Sequence, residues 1–118
     1  MKITQAFSFE SAHFLPNVPV THRCRAMHGH SYRVELKVEG PVDPLTGFVV
    51  DFFDIEQAFK PLLGRLDHHC LNEIDGLENP TAEHIAMWIF TRVKKALPQL
   101  FGIVVYETKD CYAEYYGE

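Results

Sequence analysis

The clearest pattern along the chain is a strict alternation of apolar and polar residues between positions 28 and 39. The odd positions are polar, and the apolar side chains occupy the even positions Tyr32, Val34, Leu36 and Val38. Side chains two residues apart on a strand point to the same face, so the pattern predicts a strand with one buried side. His28 and His30 share the parity of the apolar residues, so both imidazoles are expected to point inward.

A third histidine ends an earlier segment of the same character. Between Ile3 and His13, the positions in phase with His13 include Phe7, Phe9 and Ser11. If the two segments pair as antiparallel neighbours, His13 lies at the His28 and His30 end of the sheet. Imidazoles about 6 to 7 Å apart on one strand can then share a cation with His13, with a position left open to water or substrate. The alternative is a pair of hydrogen-bonded core histidines and an unrelated third.

The rest of the chain predicts two helices and a closing hairpin. The first helix is expected after Asp51 or Asp54, either of which can cap it, with Pro61 kinking or ending its regular part. The second is expected to have Thr81 as N-cap and to stop at Pro98. Two strands follow. On the first of them, alternate positions place one set of side chains on the same face: Phe101, Ile103, Val105 and Glu107. The order β-β-α-α-β-β predicts an α+β fold, an antiparallel sheet with both helices on one face.

Length and composition narrow the classes of protein. The 118 residues predict a single domain, residues 1–118. Hydrophobic residues make up 47% of the chain, more than one small sheet easily buries, which favours an oligomer. A formal net charge of -5 argues against a nucleic-acid partner. No apolar run approaches ~20 residues and the N-terminus lacks a signal-peptide pattern, so we expect no membrane partner and a cytoplasmic location. Three widely spaced cysteines argue against a disulfide framework.

Three reactive side chains fall in segments with little regular pattern. Cys24 lies between Arg23 and Arg25, four positions before the first strand histidine, and nearby positive charge favours the reactive thiolate. Asp67 and His68 offer a carboxylate and an imidazole for proton transfer if they reach the Cys24 region. The simpler alternatives are an inert thiol and an ordinary surface pair.

Glu107 is the anomaly of the third strand. It shares a face with apolar residues, and a buried carboxylate needs a partner such as a protein base or a ligand with paired N–H donors. At the end of its strand, the side chain is also placed where it can reach water. The sequence leaves both interpretations open.

Six short motifs, taken together and in order, resemble the 6-pyruvoyl-tetrahydropterin synthase superfamily, and most closely its 6-carboxytetrahydropterin synthase branch. The resemblance covers essentially the whole chain. Its motifs are Phe9-Glu10-Ser11-Ala12-His13, Cys24-Arg25-Ala26-Met27-His28-Gly29-His30, Asp43-Pro44 with Thr46-Gly47, Leu66-Asp67-His68-His69, Glu78-Asn79-Pro80-Thr81 and Val105-Tyr106-Glu107-Thr108.

The resemblance implies roles for individual residues. A zinc ion would be held by His13, His28 and His30. Cys24 would be the catalytic proton acceptor, with Asp67 and His68 as its relay partners. Glu107 would anchor the pterin ring, and Thr81 would contribute from a neighbouring subunit. The implied fold is the tunnelling fold, in which the sheets of several subunits form a barrel, usually as a hexamer made of two trimers with sites at subunit interfaces.

The implied reaction belongs to queuosine biosynthesis. It converts 7,8-dihydroneopterin triphosphate to 6-carboxy-5,6,7,8-tetrahydropterin and releases acetaldehyde and triphosphate. Arg23 and Arg25 are candidates for holding the triphosphate, because the chain as a whole is acidic. The first alternative is 6-pyruvoyl-tetrahydropterin synthase, which stops after triphosphate loss; the short spacing from Cys24 to His28 favours the carboxy branch. The second is a non-catalytic, zinc-stabilised pterin-binding module.

Overall fold

A computed structural model describes all residues, 1–118, and contains one four-stranded antiparallel sheet and two α-helices. The strands are β1 (Lys2–His13), β2 (His28–Glu39), β3 (Leu100–Tyr106) and β4 (Tyr112–Tyr115), and they lie in the order β1-β2-β3-β4. The helices are α1 (Phe52–Leu66) and α2 (Ala82–Ala96). Short 3-10 turns occupy Arg23–Arg25 and Leu71–Glu73. The predicted α+β class and element order are confirmed.

Both helices pack on the same face of the sheet, as predicted. The even positions of β2 from Tyr32 to Val38 are buried, and the opposite parity carries the charged residues. Against this inner face pack the apolar stripes of the helices, which include Ile55, Phe59, Leu62, Leu66, Ile85, Trp88, Ile89 and Val93. The alternation of β2 thus decides which side of the sheet becomes the core.

The helix ends follow capping chemistry. The Asp51 side chain accepts a hydrogen bond from the N–H of Phe53 at 2.9 Å, so Asp51 and not Asp54 caps α1. Thr81 caps α2, and α2 ends at Ala96, before Pro98. Pro61 does not end α1, which continues beyond it to Leu66, so that half of the prediction is wrong. Pro61 lies on the exposed side of the helix, so water can hydrate the carbonyl oxygen one turn earlier that receives no N–H from the proline. Buried leucines hold the last turn of the helix in place.

The predicted parity of β3 is wrong at one position. The register with β2 shifts between Lys37 and Val38, so the chain takes up one extra residue at the start of β3. As a result, Phe101 stacks on Tyr116, with 6.1 Å between ring centroids, and the Lys2 ammonium lies 5.2 Å from the Phe101 ring. Phe101 therefore faces away from the helices, while Ile103 stays buried in the core as predicted. Neither helix, at 15 residues each, meets the length and apolarity required to cross a membrane.

Candidate metal centre and active site

The three histidines meet at one end of the β1–β2 pair. The register places Ser11 opposite His30 and His13 opposite His28, as the parity argument predicts. The centroids of the three imidazole rings are 4.5, 4.9 and 5.1 Å apart, and one nitrogen from each ring lies within 4.8 Å of the other two. His13 is completely buried, and the other two are partly exposed. The interpretation that His13 is unrelated to the pair is therefore wrong.

Hydrogen bonds to backbone carbonyls fix the protonation of two of these rings. Nδ1 of His13 lies 2.8 Å from the carbonyl oxygen of Pro80, and Nδ1 of His28 lies 2.8 Å from that of Ala26. A carbonyl oxygen only accepts, so each Nδ1 carries a proton and donates it. In the neutral rings both Nε2 atoms then carry lone pairs, and they face each other at 2.9 Å. Two lone pairs at this distance repel unless a cation lies between the rings.

The third ring completes the donor set. Nε2 of His30 is buried without a hydrogen-bond partner, and its nearest carboxylate oxygen, Oε1 of Glu107, is 3.5 Å away. Burial lowers the pKa of both His13 and His30, in each case against the opposing effect of the Glu107 charge. Both rings are therefore neutral near pH 7, and the contact with Glu107 is not an ion pair. Three imidazoles that converge in this way are a donor set that fits a divalent metal ion.

Glu107 lies in a bend directly after β3. Its N–H donates to the carbonyl of Cys111 at 3.0 Å, and its carboxylate borders both His30 and a cleft of about 260 Å³. The start of α2 forms another wall of this cleft through Ala82 and Glu83. Thr81, one residue earlier, accepts the N–H of His84 at 3.1 Å through its side-chain oxygen. The carboxylate therefore faces the histidine cluster and is open to a ligand in the cleft.

Asp67 and His68 form a pair on the free edge of β1. Oδ1 of Asp67 accepts the N–H of Glu10 at 2.9 Å and lies 3.0 Å from Nδ1 of His68. The Glu10 N–H, and secondarily the His68 side chain, hold the pKa of Asp67 below its ordinary value. His68 has a positive φ of 58° and a largely exposed side chain. His68 also borders a cleft of about 520 Å³ that His30 lines from the other side.

Cys24 lies in the 3-10 turn that precedes β2. The turn is capped by the His22 side chain, which accepts the Cys24 N–H at 3.0 Å, and Nη1 of Arg25 donates to the carbonyl of Val18 at 2.9 Å. Cys24 is half-buried, whereas Arg23 and Arg25 are exposed. No hydrogen bond or ion pair within the chain connects Cys24 to the pair on the β1 edge.

Two residues of this region have no signal in the sequence analysis. The carbonyl of Pro80 accepts the His13 proton, and the side chain of Asn72 hydrogen-bonds to the backbone next to His13. Backbone acceptors are invisible to an analysis of side-chain chemistry, and Asn72 resembles any loop asparagine until the chain is folded.

Comparison with known proteins agrees with this geometry. The family model for 6-pyruvoyl tetrahydropterin synthase matches residues 2–118. A 6-carboxy-5,6,7,8-tetrahydropterin synthase of Synechocystis sp. is 40% identical over 98% of this chain and 92% of its own length. A dihydroneopterin monophosphate aldolase of Pyrococcus furiosus is 35% identical over 82% of this chain and 78% of its own length.

A solved structure supports the fold. The 6-pyruvoyl tetrahydropterin synthase of Caenorhabditis elegans superposes with a TM-score of 0.92, covering 100% of this chain and 96% of that one at 24% identity. At this identity the likeness bears on the fold alone, while the sequence matches bear on the family. The chain belongs to the 6-pyruvoyl tetrahydropterin synthase family and is a lyase.

Proposed function

We propose that this chain is a zinc-dependent lyase that converts 7,8-dihydroneopterin triphosphate to 6-carboxy-5,6,7,8-tetrahydropterin, acetaldehyde and triphosphate, a step of queuosine biosynthesis. The observation that carries the proposal is the convergence of three imidazoles, with the Nε2 atoms of His13 and His28 facing each other at 2.9 Å. The Synechocystis relative supports the choice of product, and so does the short spacing from Cys24 to His28.

His13, His28 and His30 are the proposed zinc ligands. Zinc bound there supplies Lewis acidity toward the hydroxyl groups of the substrate side chain. Three nitrogen ligands and no fourth protein ligand are typical of catalytic zinc sites, whereas structural sites are closed by four protein ligands. Burial lowers the pKa of His13 and His30, and the paired strands hold all three donors in one geometry.

Proton transfer is assigned to Cys24 and to the pair of Asp67 and His68. Nδ1 of His68 donates to the Asp67 carboxylate, which leaves Nε2 as the nitrogen that exchanges a proton with substrate. Cys24, as thiolate, takes a proton from a carbon of the substrate side chain. Two groups on different atoms of the substrate permit the proton shifts that precede triphosphate loss and cleavage of the carbon-carbon bond.

Glu107 and Thr81 are the proposed pterin contacts. A carboxylate accepts two parallel N–H bonds, which matches the ring N–H and amino group on one edge of a pterin. Thr81 uses its lone pair for the α2 cap, so its hydroxyl proton remains to be donated. Arg23 and Arg25 flank Cys24 in exposed positions and are proposed to bind the triphosphate.

We propose that the active enzyme is a cytoplasmic oligomer, a hexamer of two trimers in which the sheets join into a barrel. Two features support self-association. Strands β1 and β4 form the two edges of the sheet, and residues 67–70 cover the outer edge of β1 only at its end near Glu10 and Ala12. The segment before and at the start of α1 exposes large apolar side chains, among them Leu45, Phe48, Phe52 and Phe53. A neighbouring copy is also the simplest source of the link between Cys24 and the pair on the β1 edge.

One assay separates this function from its alternatives. Purified zinc-loaded protein is incubated in parallel with 7,8-dihydroneopterin triphosphate and with dihydroneopterin monophosphate. Acetaldehyde is measured with a coupled dehydrogenase, and the mass of the pterin product is determined by mass spectrometry. We expect acetaldehyde and the carboxypterin in equal amounts. A pyruvoyl product without acetaldehyde would contradict the proposal in favour of the pyruvoyl synthase, and cleavage confined to dihydroneopterin monophosphate would favour an aldolase.

The variant Cys24→Ala tests the catalytic interpretation against the binding module. We expect it to fold, to bind zinc with wild-type stoichiometry and to form no product. Ser8→Ala is the control, because Ser8 is exposed on the outer face of β1 and has no proposed role. Absence of turnover by the wild-type protein, together with unfolding on zinc removal, would favour the binding module.

A further inference from the structure

The side chain of Asn72 holds the backbone immediately after His13. Strand β1 ends at His13, so the next residue, Phe14, has no strand partner for its N–H and carbonyl. Oδ1 of Asn72 accepts the Phe14 N–H at 3.0 Å, and Nδ2 of Asn72 donates to the Phe14 carbonyl at 2.8 Å. This two-bond ring extends the pairing of β1 by one residue, using a side-chain amide in place of a strand.

The chain on the other side of His13 is held by the same segment. The N–H of Ala12 donates to the carbonyl of His69 at 3.0 Å, and Ala12 forms a bridge with Cys70. Residues 69–72 therefore bracket the backbone of His13 on both sides. The backbone of His13 therefore has little freedom to rotate about the strand axis while these bonds are intact.

Asn72 also reaches the loop that accepts the His13 proton. Its Nδ2 lies 3.4 Å from the carbonyl oxygen of Glu78, two residues before Pro80. Pro80 is buried, and its carbonyl accepts the Nδ1 proton of His13 at 2.8 Å. One side-chain amide thus touches both the backbone that carries the ring and the loop that fixes its tautomer and orientation.

We propose that Asn72 is a positioning residue for the metal ligand His13. It acts through the Phe14 peptide and the loop of residues 78–80, and it keeps Nε2 of His13 directed at the other two histidines. The inference rests on the proposed metal function of the cluster, but not on the identity of the reaction. Partners that orient metal-bound histidines typically change metal affinity by about 10- to 100-fold when they are removed.

The test is the zinc affinity of folded metal-free protein, measured by competition with a chromophoric chelator. Asn72→Asp keeps the size and one acceptor oxygen but loses both N–H donors and turns a carboxylate toward two carbonyl oxygens. We expect its dissociation constant for zinc to rise by about 10- to 100-fold, with turnover largely recovered at saturating zinc. Asn17→Asp is the matched control, since Asn17 is exposed in a turn and makes no side-chain hydrogen bond.

The outcomes separate positioning from a structural role. A residue that only stabilised the fold would lower the midpoint of unfolding and leave the zinc affinity of the folded protein unchanged; that result, or equal weakening in Asn17→Asp, would overturn the proposal. If Asn72→Asp does not fold, Asn72→Ala removes the same bonds without adding a charge, and the same expectation applies. Wild-type protein that binds zinc but releases no acetaldehyde would contradict the proposed reaction and leave this inference standing.

Discussion

Replacing Tyr32 with phenylalanine tests the protonation pattern on which the metal centre depends. The Tyr32 hydroxyl lies 3.2 Å from Nδ1 of His13, and the side chain is only 1% exposed. That nitrogen already carries a proton, because it lies 2.8 Å from the Pro80 carbonyl, which can only accept. The hydroxyl therefore cannot donate to it, and no other acceptor in the chain lies within hydrogen-bond distance of the hydroxyl.

The expected magnitude follows from this unpaired donor. The hydroxyl oxygen can only share the Nδ1 proton of His13 as a second acceptor, and its own O–H has no acceptor. A buried donor without an acceptor costs about 1 to 3 kcal/mol, which phenylalanine avoids. The ring stays stacked on Phe9, with 4.9 Å between centroids, so the apolar packing is retained. We therefore expect Tyr32→Phe to leave the free energy of unfolding unchanged or to raise it by about 1 kcal/mol. Zinc affinity should change by less than about threefold, because His13 keeps its bond to the Pro80 carbonyl.

Urea denaturation of the metal-free protein, at matched protein concentration, measures the free energy of unfolding, and chelator competition measures the zinc affinity. Tyr115→Phe is the control, because the Tyr115 hydroxyl donates to the carbonyl of Glu118 at 3.1 Å in an exposed position. A loss of about 2 kcal/mol in Tyr32→Phe, with zinc binding weakened about tenfold, would mean that the hydroxyl does donate to Nδ1. Nε2 of His13 would then carry the proton, and the argument for a cation between the rings would fail.

Two further predictions concern the β1 edge and the first helix. The pKa of Asp67, measured by carboxyl-carbon NMR, should lie below its ordinary value. It should stay partly lowered in His68→Ala, because the hydrogen bond from the Glu10 N–H is the main cause of the lowering. An ordinary pKa in the wild type would contradict both hydrogen bonds to Asp67. Because the folded pKa is the lower one, this contribution to stability is present above the unfolded pKa and is lost as pH falls through the folded value. Asp51→Ala should lower the free energy of unfolding by about 1 kcal/mol through loss of the α1 cap, with zinc affinity unchanged, and equal urea midpoints would contradict it.

Much of the fold and the histidine cluster was predictable because both follow from a period of two. Once β2 has a buried parity, His28 and His30 must face inward, and the antiparallel partner with the matching pattern must bring His13 beside them. Capping residues set the starts of both helices in the same local way. These features depend on neighbours in sequence or on strict alternation, and both can be read along the chain.

The failures have a common physical origin in contacts between distant segments. The extra residue at the start of β3 turns Phe101 outward, and no local residue announces it. Pro61 is tolerated because buried leucines hold the following helical turn, which outweighs one missing hydrogen bond. Asn72 contacts Phe14, 58 positions away, so its place beside the metal centre appears only after folding.

The site divides into a rigid half and a loop-borne half, and the division has a chemical logic. The three histidines stand on paired strands, where register fixes the donor atoms, as a metal ion with defined ligand geometry requires. Cys24 and His68 lie in segments outside the strands, where strand register does not fix the position of the side chain. A shift of one residue in β1 would turn His13 to the outer face and abolish the centre outright. By contrast, the same shift in the loop before β2 would change only the distance of Cys24 from the three histidines.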